Sequence, residues 1–272
     1  MAEQLAIIFS TLTLIFHFYG CQEKDYSQKD LVQYFTEEEE LFNQYDAYFE
    51  VKFQTGLNTH DSVTMGRQAQ ANALFSRDGN GLLNAGEVSI GDHDFTIDQR
   101  THQYQAAFTY NQLDEIFGHH AAYKVSGSDD FPGIQHQTYF PEILKASTPD
   151  IDQFSFIDRG SDLDLEWNED PSNDNPVLVA LYYDGTYNHG IHEDLPEDNF
   201  FKYYEVKDNG SFTVPSEELE RFPKGSHGTV YMLRGHHQKM ELNEELDAGF
   251  LALSKVEGSF IMEEEIEDDQ PF

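Results

Sequence analysis

The chain has 272 residues, of which 51 are acidic and 16 are basic, and its formal net charge is −35. Such a charge excludes a general nucleic-acid-binding protein, because the phosphate backbone would be repelled, and it argues against docking on an anionic bilayer by charge alone. The aromatic content of 14% supplies enough large side chains for a sizeable core, and the length fits one large or two ordinary domains.

The first 21 residues form an apolar leader that ends at the only cysteine. A run from Leu5 to Tyr19 is followed by the small residue Gly20 and by Cys21. This run is shorter than the ~20 residues that a membrane-spanning helix needs, and it fits a secretory signal peptide. A plain secretory signal and an uncleaved anchor are the two other interpretations of this stretch.

The leader with its cysteine resembles the precursors of bacterial lipoproteins, in which the signal is cut before a cysteine that then carries lipid. The resemblance implies lipid attachment at Cys21 and contact with a membrane through that anchor. A single cysteine also has no partner for an internal disulfide, so lipid attachment gives this residue a purpose.

Residues 22–45 are predicted to form a tether and a short helix. Leu31, Tyr34, Phe35, Leu41 and Phe42 recur at roughly helical spacing between residues 30 and 42. The four glutamates at 37–40 interrupt this apolar stripe and are expected to form a solvated face.

Residues 46–145 are predicted to form a first β-sandwich domain. In its first strand Phe49, Val51 and Phe53 alternate with Tyr48, Glu50 and Lys52, which is typical of a strand with one buried face.

Residues 146–262 are predicted to form a second β-sandwich domain, followed by an acidic tail at 263–272. Its clearest strand is 163–167, in which Leu163, Leu165 and Trp167 alternate with acidic residues. Residues 177–183 are apolar on both faces and predict a central strand, whereas 184–199 read as a long loop. The Asn209-Gly210 pair predicts a tight β-hairpin.

Short strands, frequent turns and the lack of a long amphipathic helix predict an all-β fold with two consecutive antiparallel, immunoglobulin-like β-sandwich domains. The second module, from the strand at 161–167 through Asp208-Asn209-Gly210-Ser211 to the strand at 230–234, resembles the sandwich modules of uncharacterised lipoproteins of the Gram-negative cell envelope. This resemblance implies a location in the envelope, at the outer membrane or cell surface, and it implies no chemistry. Plain secretion is the alternative.

Two segments are candidates for metal sites. The stretch from Asp78 to Glu87 is the nearest to a calcium loop, but Leu83 occupies the glycine position and the glutamate falls at position 10, so a hairpin turn is the better interpretation. His189, His192 and Glu193 are the best candidates for a transition-metal site, provided that the loop folds back on itself. No cofactor is expected, and zinc or calcium are the only ions that these segments suggest.

The remaining polar candidates are explained more simply as structural residues. The adjacent pairs His119-His120 and His236-His237 are expected at the surface, with neighbours on opposite faces of a strand. Arg234, inside an apolar strand, is expected to pair with a carboxylate at the edge of a core.

The favoured function is non-enzymatic binding or scaffolding by a lipid-anchored envelope protein. A carbohydrate or protein ligand is expected to meet a set of aromatic residues, or the same residues belong to the core: Tyr182, Tyr183, Tyr187, Phe200, Phe201, Tyr203 and Tyr204. A secreted hydrolase that uses a metal or a pair of carboxylates is the alternative from another class, and a purely structural envelope spacer is the third.

Overall fold

The computed structural model describes residues 44–58, 63–76, 82–148, 155–158, 160–243 and 246–263, and the side chains of 56–58, 63–68 and 243 are left undescribed. Its strands are β1 (Ala47–Asn58), β2 (Val63–Phe75), β3 (Val88–Ile90), β4 (His93–Asp94), β5 (Thr96–Ile97), β6 (Tyr104–Ala107), β7 (His119–Val125), β8 (Ile134–Phe140), β9 (Ala146–Thr148), β10 (Ser155–Asp158), β11 (Leu163–Trp167), β12 (Val177–Tyr183), β13 (Phe200–Val206), β14 (Ser211–Val214), β15 (His227–Asn243) and β16 (Leu246–Glu263). The helices are α1 (Tyr110–Leu113), α2 (Gly185–Ile191) and α3 (Ser216–Leu219). The predicted all-β fold is confirmed.

The described strands form one long sheet and two short ones. The long sheet has nine strands in the order β13-β12-β15-β16-β1-β2-β6-β5, with β10 as a further partner of β16. One short sheet contains β14-β11-β9 and the other contains β4-β3-β7-β8. Most pairs are antiparallel as predicted, but β1 and β10 both run parallel to β16.

Each short sheet packs on one half of the long sheet and encloses a core. The first core joins β1, β2 and the start of β16 to the four-stranded sheet, through residues such as Phe49, Phe250 and Tyr123. The second core joins β12, β15 and the end of β16 to the three-stranded sheet, through residues such as Phe260 and Trp167. The molecule is therefore two β-sandwiches that share a sheet.

The hairpin β15–β16 runs through both sandwiches. On β16, Ala248, Phe250 and Ala252 line the first core, whereas Val256, Phe260 and Met262 line the second. All six have even numbers, and alternate residues of a strand share one face, so both cores lie on the same side of the long sheet. The division into domains at residues 145 and 146 stays a prediction.

The predicted hairpin at Asn209-Gly210 is wrong in its pairing. The turn is present, and Gly210 has the positive φ of 87° that the sequence signal implies. However, β13 pairs with β12 in the long sheet, whereas β14 pairs with β11 in the short sheet, so the turn crosses between sheets. Asp208 explains why the two strands do not pair with each other. Its buried carboxylate accepts hydrogen bonds from Arg234 and Trp167, which fixes the turn against the second sandwich.

The predicted long loop at 184–199 contains helix α2. Asp184 caps this helix by accepting a hydrogen bond from the backbone N–H of Tyr187 at 2.9 Å. The buried side chain of Asn188 donates to the carbonyls of Asp184 and His227 and accepts from the N–H of His227. These side-chain bonds stabilise a helix that Gly190 alone would disfavour.

The prediction that β1 has one solvent-facing side is also wrong. Phe49, Val51 and Phe53 line the first core as expected, but Tyr48 and Glu50 on the opposite side are buried as well. The leader with Cys21, the helix predicted at 30–42 and nearly all of the acidic tail lie outside the described residues. Part of the segment from Asp78 to Glu87 does too, and Ser76 and Leu82 on either side of the undescribed residues pair as an antiparallel bridge.

Candidate functional site

The three residues predicted to hold a transition metal lie at the end of α2 and just beyond it. His189 Nδ1 lies 2.9 Å from the carbonyl oxygen of Leu195, and its Nε2 lies 3.3 Å from Glu197. His192 and Glu193 are exposed. Among the residues that the structure describes, no group of three or more His, Cys, Asp or Glu side chains is placed to hold a metal ion.

The aromatic residues proposed to meet a ligand are divided by the alternation of their strands. Tyr183 lies in the second core, and Phe200 and Tyr204 pack against it. Phe201 and Tyr203 belong to the opposite face of the long sheet, where Tyr203 is 43% exposed. The set therefore does not form one binding surface, and three of its seven members serve the second core.

A different site is formed where the two sandwiches meet. Here β7 and β8 of the four-stranded sheet face β15 of the long sheet, and the loop at 168–176 closes one side. The resulting cleft has a volume of about 370 Å³. We call it the junction cleft, and its lining includes His120, Gln137, Thr138, Tyr139, Ser172, Asn173, Asp174, Asn175, His236 and Gln238.

The loop at 168–176 is held in place by a buried carboxylate. Asp170 is 1% exposed and accepts hydrogen bonds from the Tyr139 hydroxyl and from the backbone N–H groups of Glu142 and Ser172. Burial and the neighbouring Asp170 carboxylate raise the pKa of Tyr139 to about 12, so the phenol remains a hydrogen-bond donor at neutral pH.

The amides of the same loop are also fixed. Asn173 donates its side-chain N–H to the carbonyl of Asn175 and to Asp208, each at 3.0 Å. Asn175 lies with its side-chain nitrogen 3.0 Å from Nδ1 of His236 on β15. These bonds order the loop before any ligand arrives, which lowers the conformational entropy cost of binding.

A buried ion pair lies behind this loop and stabilises it. Arg234 and Asp208 meet through two hydrogen bonds of 2.7 Å, and neither side chain has more than 2% of its surface exposed. Arg234 also donates to the carbonyls of Glu142 and Asn168, and Trp167 donates to Asp208 at 3.0 Å. The predicted pairing of Arg234 with a carboxylate is confirmed, and this network links the long sheet to the loops of both sandwiches.

The cleft differs from the rest of the surface in charge. Its lining contains a single carboxylate, Asp174, in a chain that has 51 acidic residues. The side chains there are mostly amides, hydroxyls and imidazoles, which donate and accept hydrogen bonds without a full charge. A second depression of about 430 Å³ adjoins the first across Asn173 and Asn175 and is more acidic, with Glu169, Asp170 and Asp208 in its lining.

The histidine pairs illustrate what the sequence could and could not predict here. His119 and His120 are both exposed, which confirms the prediction, and His120 lines the cleft. His236 is half-buried and also lines the cleft, but His237 is 1% exposed, so the surface prediction is wrong for that residue. Gln137, Tyr139 and Asn175 were missed altogether, because isolated amides and tyrosines in separate segments have no characteristic spacing.

No described helix is long and apolar enough to cross a membrane.

No protein-family model matches the chain, and no curated protein matches it. Among solved structures, the chain is similar to the fibronectin(III)-like modules of Clostridium thermocellum CbhA, with 8% identity, a TM-score of 0.24, and coverage of 81% of this chain and 93% of that chain. It is also similar to the IG1 and IG2 domains of DIP-gamma, with 9% identity, a TM-score of 0.19, and coverage of 80% and 98%. Scores of this size carry no weight for function, and the all-β architecture follows from the strands themselves.

Proposed function

We propose that this chain is a non-enzymatic binding protein that holds a neutral, polar ligand of the carbohydrate class in the junction cleft. The observation that carries the proposal is the lining of the cleft, which is rich in amides and hydroxyls and nearly free of carboxylates in a strongly acidic chain. Ligand sites are commonly found between domains, and a volume of about 370 Å³ is large enough for a small ligand.

The chemistry of the lining favours sugar hydroxyls over ions. Each sugar hydroxyl both donates and accepts, and the side chains of Gln137 and Asn175 offer both functions, whereas the amide of Asn173 is already bonded to Asn175 and Asp208. The rings of Tyr139 and His120, whose centroids are 5.5 Å apart, supply flat faces beside these amides. A phosphate or carboxylate ligand would be repelled by the overall charge, because the lining offers no lysine or arginine to neutralise it.

The proposal is tested with a glycan screen followed by titration calorimetry on the best ligand. His120→Ala removes a ring at the mouth of the cleft and is expected to weaken binding, whereas His119→Ala, the exposed neighbour outside the lining, is expected to leave the affinity unchanged. The absence of any glycan ligand, or equal affinities for the two variants, would contradict the assignment. Selective binding of charged oligosaccharides would contradict the ligand class.

We also propose that the protein is anchored in the cell envelope through a lipid at Cys21. This part is supported by the leader alone, with its short apolar run and the single cysteine that follows it. Intact-mass measurement of the native protein is expected to show a chain that begins at Cys21 and carries added acyl mass. A mature chain that begins elsewhere would indicate plain secretion and would refute the anchor.

A further inference from the structure

The central strands of the long sheet are also buried on the face that points away from both cores. This outer face carries an apolar cluster of Tyr48, Leu178, Leu233, Leu251 and Leu253, none of them more than 3% exposed. Within the described part of the chain, only Tyr45 joins this cluster from outside the strands of the sheet itself. A sheet face buries its side chains this completely only when another layer packs on it.

The short sheets show how an uncovered face looks in the same molecule. On β11, Asp164 and Glu166 point away from the second core and are exposed. On β7, Lys124 is exposed in the same way. The long sheet has acidic residues on its outer face too, but Glu50 is 0% exposed and Glu257 is 6% exposed.

These buried carboxylates accompany lysines on the same face. Lys52 Nζ lies 2.7 Å from Glu50, and Lys255 Nζ lies 3.7 Å from Glu257. Ion pairs lose hydration free energy when they are buried, and this loss must be offset by new polar contacts. The layer that covers this face must therefore carry both apolar and charged or polar side chains.

The chain enters β1 from this face. Tyr45 lies 6.0 Å from Tyr48 and 5.7 Å from His237, measured between ring centroids. Its ring occupies the position of a missing side chain at Gly249, since a Cβ added there would lie 2.7 Å from the ring. The described chain therefore begins beside the outer face.

We propose that residues 30–43 form the layer that covers the outer face; we call them the cover segment. Its sequence provides the chemistry that this face requires: Leu31, Phe35 and Phe42 match the leucine cluster, and the glutamates at 37–40 complement Lys52, Lys239 and Lys255. A helix of these 14 residues would be about 21 Å long. That length spans the distance of roughly 14 Å from β1 to β12, three strand spacings away. This inference is independent of the proposed function. Under it, the segment that follows the predicted tether lies on the outer face of the long sheet.

The direct test is a spin label on Glu38→Cys in the full chain carrying Cys21→Ser, read by amide relaxation. We expect a loss of signal at Leu251 to Lys255 on β16 and none at Lys124, on the outside of the four-stranded sheet. Retained signals on β16 would overturn the proposal. A loss that disappears when labelled chain is diluted would also overturn it, because a second copy would then be the cover.

A second measurement separates covering from folding. Leu31→Asp combined with Phe35→Asp is expected to increase the binding of a hydrophobic dye and to lower Tm, whereas Ser27→Asp with Gln28→Asp, which adds the same charge outside the cover segment, is expected to leave dye binding unchanged. Equal dye binding by the two double variants, with Tm unaltered in both, would contradict a cover made by this segment.

Discussion

The long sheet and the two short sheets differ in what their outer faces meet. The short sheets have an ordinary wet face, with Asp164, Glu166 and Lys124 exposed beside a buried core. The long sheet has cores on one side and a buried mixture of leucines and ion pairs on the other. The same alternation of apolar and charged residues therefore occurs both in strands whose charged face is exposed and in strands whose charged face is buried. The residue types alone do not distinguish these two positions.

The largest expected effect is at Arg234, where the long sheet is joined to the three-stranded sheet. Arg234→Leu leaves the carboxylate of Asp208 buried without its partner and is expected to lower the free energy of unfolding by about 3–5 kcal/mol. The matched control is Arg100→Leu, because Arg100 is 92% exposed and lies 3.8 Å from Asp98, and its loss is expected to cost about 0–1 kcal/mol. Urea unfolding measures both, and similar losses would contradict a special role for Arg234.

Two leucines compare the outer face with a core. Leu253→Ala on the outer face and Leu165→Ala in the second core are each expected to cost about 2–5 kcal/mol, since both side chains are no more than 1% exposed. Glu166→Ala on the wet face of β11 is expected to change stability by no more than about 0.5 kcal/mol. A Leu253→Ala effect as small as that of Glu166→Ala would show that the outer face is open to water.

The smallest expected effect is a pH dependence at Tyr139. Its pKa is raised from 10.0 to about 12 in the folded chain, so the folded state holds this proton more tightly than the unfolded state. The associated stability is complete below pH ~10 and is lost as the pH rises towards ~12. Tyr139→Phe is expected to flatten this part of the stability curve, measured by urea unfolding at a series of alkaline pH values. Parallel curves for the two proteins would contradict the contact with Asp170.

Local patterns in the sequence were sufficient for some strands, but the expectation of short strands is wrong for β15 and β16, which have 17 and 18 residues. Leu163, Leu165 and Trp167 predicted both β11 and its buried face, and the positive φ at Gly210 agrees with the predicted turn. The partner of each strand was harder to predict, because pairing depends on distant contacts. At Asn209-Gly210 the contact of Asp208 with Arg234, 26 residues further on, overrides the local preference for a hairpin.

The candidate site could not be predicted from the sequence for the same reason. The junction cleft is built from β7, β8, a loop and β15, so its residues are more than a hundred positions apart, like His120 and Gln238. Amides and single histidines have no motif that would mark them in advance. The loop at 168–176 did offer a signal in its density of Asn, Asp and Pro, but this composition is typical of any turn.

The central claim is that the junction cleft binds a neutral sugar, and calorimetry on two glutamine variants of β8 tests it most directly. Gln137 lines the cleft, whereas Gln135 lies two residues away on the same exposed face of the strand and outside the lining. Gln137→Ala is expected to cost about 1 kcal/mol of binding free energy, a roughly fivefold weaker Kd, with Gln135→Ala unchanged. Equal affinity of both variants and the unaltered chain for the same glycan would place binding elsewhere and contradict the account.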